Sequence, residues 1–217
     1  MTHTNHRQGT YESLAKDFVV MVMPAKGYND DADAPRKLRE ALSIYLAHNA
    51  VNAGAVKGGL LVTDTPEEMA SVIGQDTPMI HGAFNNPDDV LAVLKELKQR
   101  DLGLSVVVSG VVSEVENIAR EGGLTPHSIE YSLGIMGKTD LLCDPVIRPL
   151  CTMCGHGLIS PAMAESVVDD VASGSIDAAQ GARLLSKHCV CGVFNLKRAE
   201  ELIEQAVDAI HKKGERP

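Results

Sequence analysis

Phe18-Val19-Val20-Met21-Val22-Met23 is an unbroken apolar run of six residues, stopped by Pro24. A half-buried strand alternates apolar and polar residues, whereas a continuous run is the pattern of a strand covered on both faces. Outward from this run the same unit recurs. After the polar loop Asn29 to Asp33 comes a helical pattern over about 35–50, with Leu38, Leu42, Tyr45 and Leu46 on one stripe. Gly58-Gly59 precedes a second apolar run, Leu60-Leu61-Val62, and Thr65-Pro66-Glu67-Glu68 spells a capping box with proline at the first helical position. Met79-Ile80 is a third strand candidate. Asn86-Pro87-Asp88-Asp89 opens a further helix, and Leu104 to Val108 is a fourth strand. Ser113 with Glu116 caps the helix that follows, and Gly122-Gly123 closes it.

Strand, polar turn and capped helix in repetition predict an α/β fold with a parallel, Rossmann-like sheet covered by helices. Right-handed crossovers follow, and ligands are expected where the carboxyl ends of the strands open. Those ends carry Pro24 to Tyr28, Thr63-Asp64, His81 to Asn85 and Ser109-Gly110. A fifth strand is expected through Ser128 to Ile135. Beyond about residue 140 the rhythm gives way to helices: one between Pro161 and Gly174, one over 176–188, and an amphipathic one capped by Asn195 and closed by Gly214. The expected organisation is a polar lead-in over 1–16, a sheet domain over 17–140, and a helical, cysteine-rich unit over 141–217.

Bulk composition narrows the function. Forty-four per cent apolar residues over 217 positions build one sizeable core and a smaller appended unit. A net charge of -9, with no Trp, three Phe and four Tyr, lacks the basic stripes and stacking aromatics of a nucleic-acid binder. Met1 to Lys16 is polar, without the apolar stretch of a secretory signal, and no run reaches membrane-spanning length. The expectation is a cytoplasmic protein without membrane or nucleic-acid partners. In a reducing compartment, five cysteines read as metal ligands or reactive thiols.

Four of those five form two pairs. Cys151-Thr152-Met153-Cys154-Gly155 is CxxCG, and Cys189-Val190-Cys191-Gly192 is CxCG, with 34 residues between the pairs. Four soft donors in two pairs suit a tetrahedral metal or an iron–sulfur cluster. Glycine after each second cysteine allows a turn that leaves backbone N–H groups directed at sulfur. The second pair precedes the helix starting at Asn195, whose free N–H groups and partial positive charge favour an anionic centre. Structural zinc mostly rescues domains too small to hold a core, and this chain has a core, so a [4Fe–4S] cluster on Cys151, Cys154, Cys189 and Cys191 is the favoured expectation. Zinc is the alternative, and a thiol redox site the third. Cys143 is either a spare thiol or a substitute ligand; a cubane held by three cysteines would leave one iron open to substrate.

Around the pairs lie His156 and His188, each able to ligate, to hydrogen-bond sulfur or to move protons near neutral pH. His127 adds a third candidate acid–base group. Arg148, before the first pair, and Arg198, after the second, are positive charges near the expected anionic centre, either able to clamp a carboxylate, with Arg148 the anchor for the substrate. Ser132 to Thr139 falls short of a phosphate loop, since Ser132 stands where that pattern needs glycine, and reads as a glycine-rich linker to the metal unit. The expectation is an enzyme doing lyase-type or reductive chemistry on a small anionic metabolite between sheet and cluster. A zinc-stapled interaction or regulatory module, and a small electron carrier with a redox partner, are the alternatives. The oligomeric state is left open, with a homo-oligomer among the options.

Overall fold

The computed structural model describes residues 6–214. Within the lead-in, of which 1–5 lie outside the described residues, a single turn α1 (Tyr11–Leu14) precedes β1 (Phe18–Met23). Then come α2 (Ala34–Ala47), β2 (Asn52–Ala55), α3 (Pro66–Val72), β3 (Ile80–Phe84), α4 (Pro87–Arg100), β4 (Ser105–Ser109) and α5 (Val112–Glu121). A long segment with one 3-10 turn, Thr139–Leu141, leads to α6 (Arg148–Met153), α7 (Pro161–Ala172), α8 (Ala178–Ser186) and α9 (Leu196–Gly214). No described helix is long and apolar enough to cross a membrane.

The sheet is not the parallel, Rossmann-like one that the rhythm predicts. Its four strands run in the order β2-β3-β1-β4, and every neighbouring pair is antiparallel. The crossovers β1–α2–β2 and β3–α4–β4 each leap one position, so that β3 slots between β1 and β2, and β1 between β3 and β4. This is a split βαβ connectivity. The physical reason lies in α3. Its capping box forms, with Thr65 accepting from Glu68 N–H and Glu68 from Thr65 N–H, but the helix has only seven residues. It rides on the connection between β2 and β3 instead of carrying the chain across the sheet, so β3 returns beside β2. The strand ends therefore open alternately at the two ends of the sheet. Val19 pairs with Ser109 and Met23 with Ser105, which separates Pro24 to Tyr28 from Ser109-Gly110 by the length of the sheet.

Two strand positions also shift. The second strand is Asn52–Ala55, not Leu60 to Val62; Leu60 makes only an isolated bridge to Gly54. Ser128 to Ile135 forms no strand and lies exposed.

β1 is covered on both faces, as its composition requires. Phe18, Val20 and Val22 point into a core with Leu38, Leu42 and Tyr45 of α2 and Val90, Val93 and Leu94 of α4. Val19 points the other way, into a second core made by α6 to α9, with Leu150, Met153, Leu185, Phe194 and Ile203. Full burial of each such side chain contributes about 1.5–3 kcal/mol. A continuous apolar run thus marks two covered faces, and here a helical layer supplies the second cover to an antiparallel sheet.

Candidate metal centre

The first cysteine pair sits on α6. Cys151 and Cys154 stand three residues apart, on one side of the helix, where i and i+3 side chains are neighbours. Cys154 is the C-cap residue; Gly155 and Gly157, both at positive φ, then turn the chain back beneath it. The N–H groups of Leu158 and His156 point at the Cys154 sulfur. The second pair follows α8. Cys189 N–H bonds to Ser186 O at 2.9 Å, and Gly192 N–H to Cys189 O at 3.1 Å, which closes a tight turn through Gly192 at φ 67°.

This turn rests on β2. A Cβ at Gly54 would stand 2.4 Å from Cys191 O, and a Cβ at Gly192 would stand 2.3 Å from the Ala53 carbonyl carbon. Two glycines therefore allow backbone-to-backbone contact between loop and strand, and at that point no space remains between sheet and thiol loop. Asn52, buried in β2, fastens both flanks of the loop, its Nδ2 donating to Ser186 Oγ and to Phe194 O at 3.0 Å each. Asn195 caps α9 by accepting from Arg198 N–H at 3.1 Å, while its Nδ2 donates to Lys16 O, Asp17 Oδ1 and Phe84 O. His81 lies in the same strand row as Gly54 and Met21 and is buried.

Three thiols and one imidazole meet where the two turns face each other. Cys154 and Cys189 hydrogen-bond through sulfur, and Cys191 lies within electrostatic reach of both. His156 approaches Cys191 Sγ with Nδ1 at 3.4 Å and Nε2 at 3.9 Å. All three thiols are buried and the imidazole is exposed, so the group opens to solvent through His156. The Cys189 contact, then the two backbone N–H groups, bring the Cys154 thiol down to about 5, and the same contact with burial pushes Cys189 well up. Burial, with the Cys154 charge behind it, raises Cys191 to about 11.

Cys151 turns elsewhere. Its thiol meets Cys143, and burial together with that neighbour raises it to about 12. Among the described residues, no group of three or more His, Cys, Asp or Glu side chains is arranged to hold a metal ion as it stands. The donors bond to one another, and ligation requires the thiols to shed their protons.

The remaining candidates are dispersed. His188 is exposed beside Cys189. His127 accompanies Ser128 in a groove beside β4, away from the thiols. Arg148 donates from Nη2 to Cys143 O at 2.7 Å, and its Nε is buried without a hydrogen-bond partner. Arg198 is buried against Asp17 at 2.7 Å, with Ser13 Oγ accepting from Nε and Gln8 O from Nη2. Arg7 completes that knot through Asp17 and also donates to Val193 O, while Gln8 N–H reaches Thr152 Oγ1 at 3.2 Å. Residues 7 and 8 thereby tie down both cysteine loops. Asn52, Asp17 and this strap had no signal in the sequence, since each acts on partners more than a hundred residues away except at Arg7–Asp17. Compared with protein-family models, curated proteins and solved structures, the chain matches none.

Proposed function

We propose that this chain carries a metal centre on the thiolates of Cys154, Cys189 and Cys191. The observation that supports it is the meeting of three buried thiols and an imidazole from two glycine-closed turns, with backbone N–H groups aimed at sulfur. Such N–H groups stabilise thiolate over thiol, which is the form a metal takes. The donor set with His156 is Cys₃His, a set that zinc accepts in closed tetrahedral sites. A tetrahedron with ordinary zinc–sulfur and zinc–nitrogen lengths holds its S and N ligands about 3.6 Å apart, and Cys191 Sγ and His156 Nδ1 are 3.4 Å apart. A single ion suits this spacing. Zinc here would brace α6, α8 and the start of α9 against β2.

The second reading is the [4Fe–4S] cluster, with Cys151 as fourth ligand. Its support is the position of Cys151 one helical turn before Cys154, where i and i+3 side chains are neighbours. The lyase-type or reductive chemistry on a small anionic metabolite goes with this occupant, and exposed His156 and His188 are its acid–base groups. Five free thiols suit a reducing compartment such as the cytoplasm.

The test is anaerobic purification followed by metal analysis and an absorbance spectrum. About one zinc per chain in colourless protein, lost in His156→Ala and kept in Cys151→Ser, supports the single ion. About four irons with broad absorbance near 400 nm, lost in Cys151→Ser, supports the cluster. Metal-free protein with five titratable thiols overturns both.

A further inference from the structure

β4 is an edge strand, with a sheet neighbour, β1, on one side only. Its sequence is Ser-Val-Val-Val-Ser, and Val106 is 40% exposed. Natural sheets blunt such an edge with charge, proline or a bulge, and three successive valines do none of these. A groove of about 600 Å³ runs along it, walled by Leu97, Leu104, Val106, Val108, Val115 and Leu124. The chain itself reaches this groove only as far as Glu130.

From there it moves off into solvent. Ile129, Tyr131, Leu133 and Ile135 alternate with Glu130, Ser132 and Gly134, which is the period of a strand with one apolar face. Tyr131 is 61%, Leu133 85% and Met136 75% exposed. Gly134 and Gly137, both at positive φ, turn the chain at the far end of this segment, and residues 128–135 pair with no strand of their own chain. The molecule thus has an unpaired strand edge beside an apolar groove, and a strand-patterned segment with no sheet of its own.

We propose that each completes the other between two copies of this chain: the 129–136 segment of one copy adds to the β4 edge of its partner, and the exchange is reciprocal. A two-fold pair of this kind closes on itself and leaves neither edge open. The area is sufficient. At roughly 150–200 Å² per large side chain, the exposed parts of Ile129, Tyr131, Leu133 and Ile135 come to about 400 Å² per copy. Two segments and the surfaces receiving them bury about 1,600 Å², the standard size of a specific interface. Glu130 is the segment's one charge, and Lys98 in the lining of the receiving groove is of opposite sign, beside Asp101 and Glu116 of like sign.

Sedimentation velocity of the full chain from about 1 to 100 µM tests the pairing. The expected species is a dimer of twice the 23.1 kDa chain mass. Leu133→Asp on the segment, whose side chain is 85% exposed, and Val106→Lys on the receiving edge, where a long side chain can reach solvent from a 40% exposed position, each weaken it at least tenfold with unchanged far-UV circular dichroism. A monomer throughout that range overturns the proposal. So does a dimer that tolerates both substitutions.

Discussion

At the scale of single residues, the fold carries groups whose burial is not repaid locally. Tyr45 is fully buried, edge-on to Phe84 at 5.7 Å between ring centroids, and its hydroxyl has no hydrogen-bond partner. Burial raises the Tyr45 hydroxyl well above 10. A raised folded value means that the neutral form's contribution is complete below the unfolded value near 10 and is lost as pH climbs beyond it. Tyr45→Phe removes an unsatisfied buried oxygen, so stability should rise by about 1 kcal/mol at pH 7. The advantage of the variant should widen above pH 10, where the native tyrosine must stay neutral while the unfolded one ionises freely only in the wild type. Urea midpoints of both proteins at pH 7 and pH 10.5 check the sign. A destabilised variant would mean that ring packing or an unrecognised partner outweighs the orphaned hydroxyl. The sequence placed Tyr45 correctly on the inner stripe of α2, because helical periodicity is local; nothing local reveals whether its hydroxyl finds an acceptor.

At the scale of elements, the contact between the CxCG turn and β2 decides where the thiols stand. Gly192→Ala adds a methyl into the Ala53 carbonyl and demands a left-handed backbone of a residue with a Cβ. Loss of about 2 kcal/mol or more is expected, together with reduced metal content, whereas Gly174→Ala, left-handed but in open space, should cost less and leave the metal alone. Equal losses in both, with metal retained, would mean that the turn does not position the thiols. The same contact explains why β2 was hidden. Asn52-Ala53-Gly54-Ala55 has little strand propensity, and its small side chains serve the close approach of Gly192. Helix starts at Thr65, Asn86, Ser160 and Asn195 were readable because caps are local chemistry. Strand direction was not readable. A helix between two strands occurs in parallel and in split βαβ sheets alike, and only the brevity of α3 distinguishes them. The cysteine spacing marked the right loops, yet could not show that Cys151 turns to Cys143 while Cys154 meets Cys189.

At the scale of the whole molecule, one sheet serves as a wall between two cores. β1 contributes Phe18, Val20 and Val22 to one and Val19 to the other, and the Asp17–Arg198 knot joins strand, lead-in and α9. The two cores should therefore unfold together. In urea, exposure of the buried thiols and loss of the near-ultraviolet tyrosine signal should share one midpoint, although the chain exceeds the usual two-state size. Thiols that become reactive at clearly lower urea would show the helical layer separating from the sheet. The central claim, a metal on three converging thiolates, is tested most directly by X-ray absorption at the edge of whatever metal the anaerobically purified chain carries. A first shell dominated by sulfur at about 2.3 Å is expected, with one nitrogen at about 2.0–2.1 Å if His156 completes a zinc site. A shell of oxygen and nitrogen alone would contradict it.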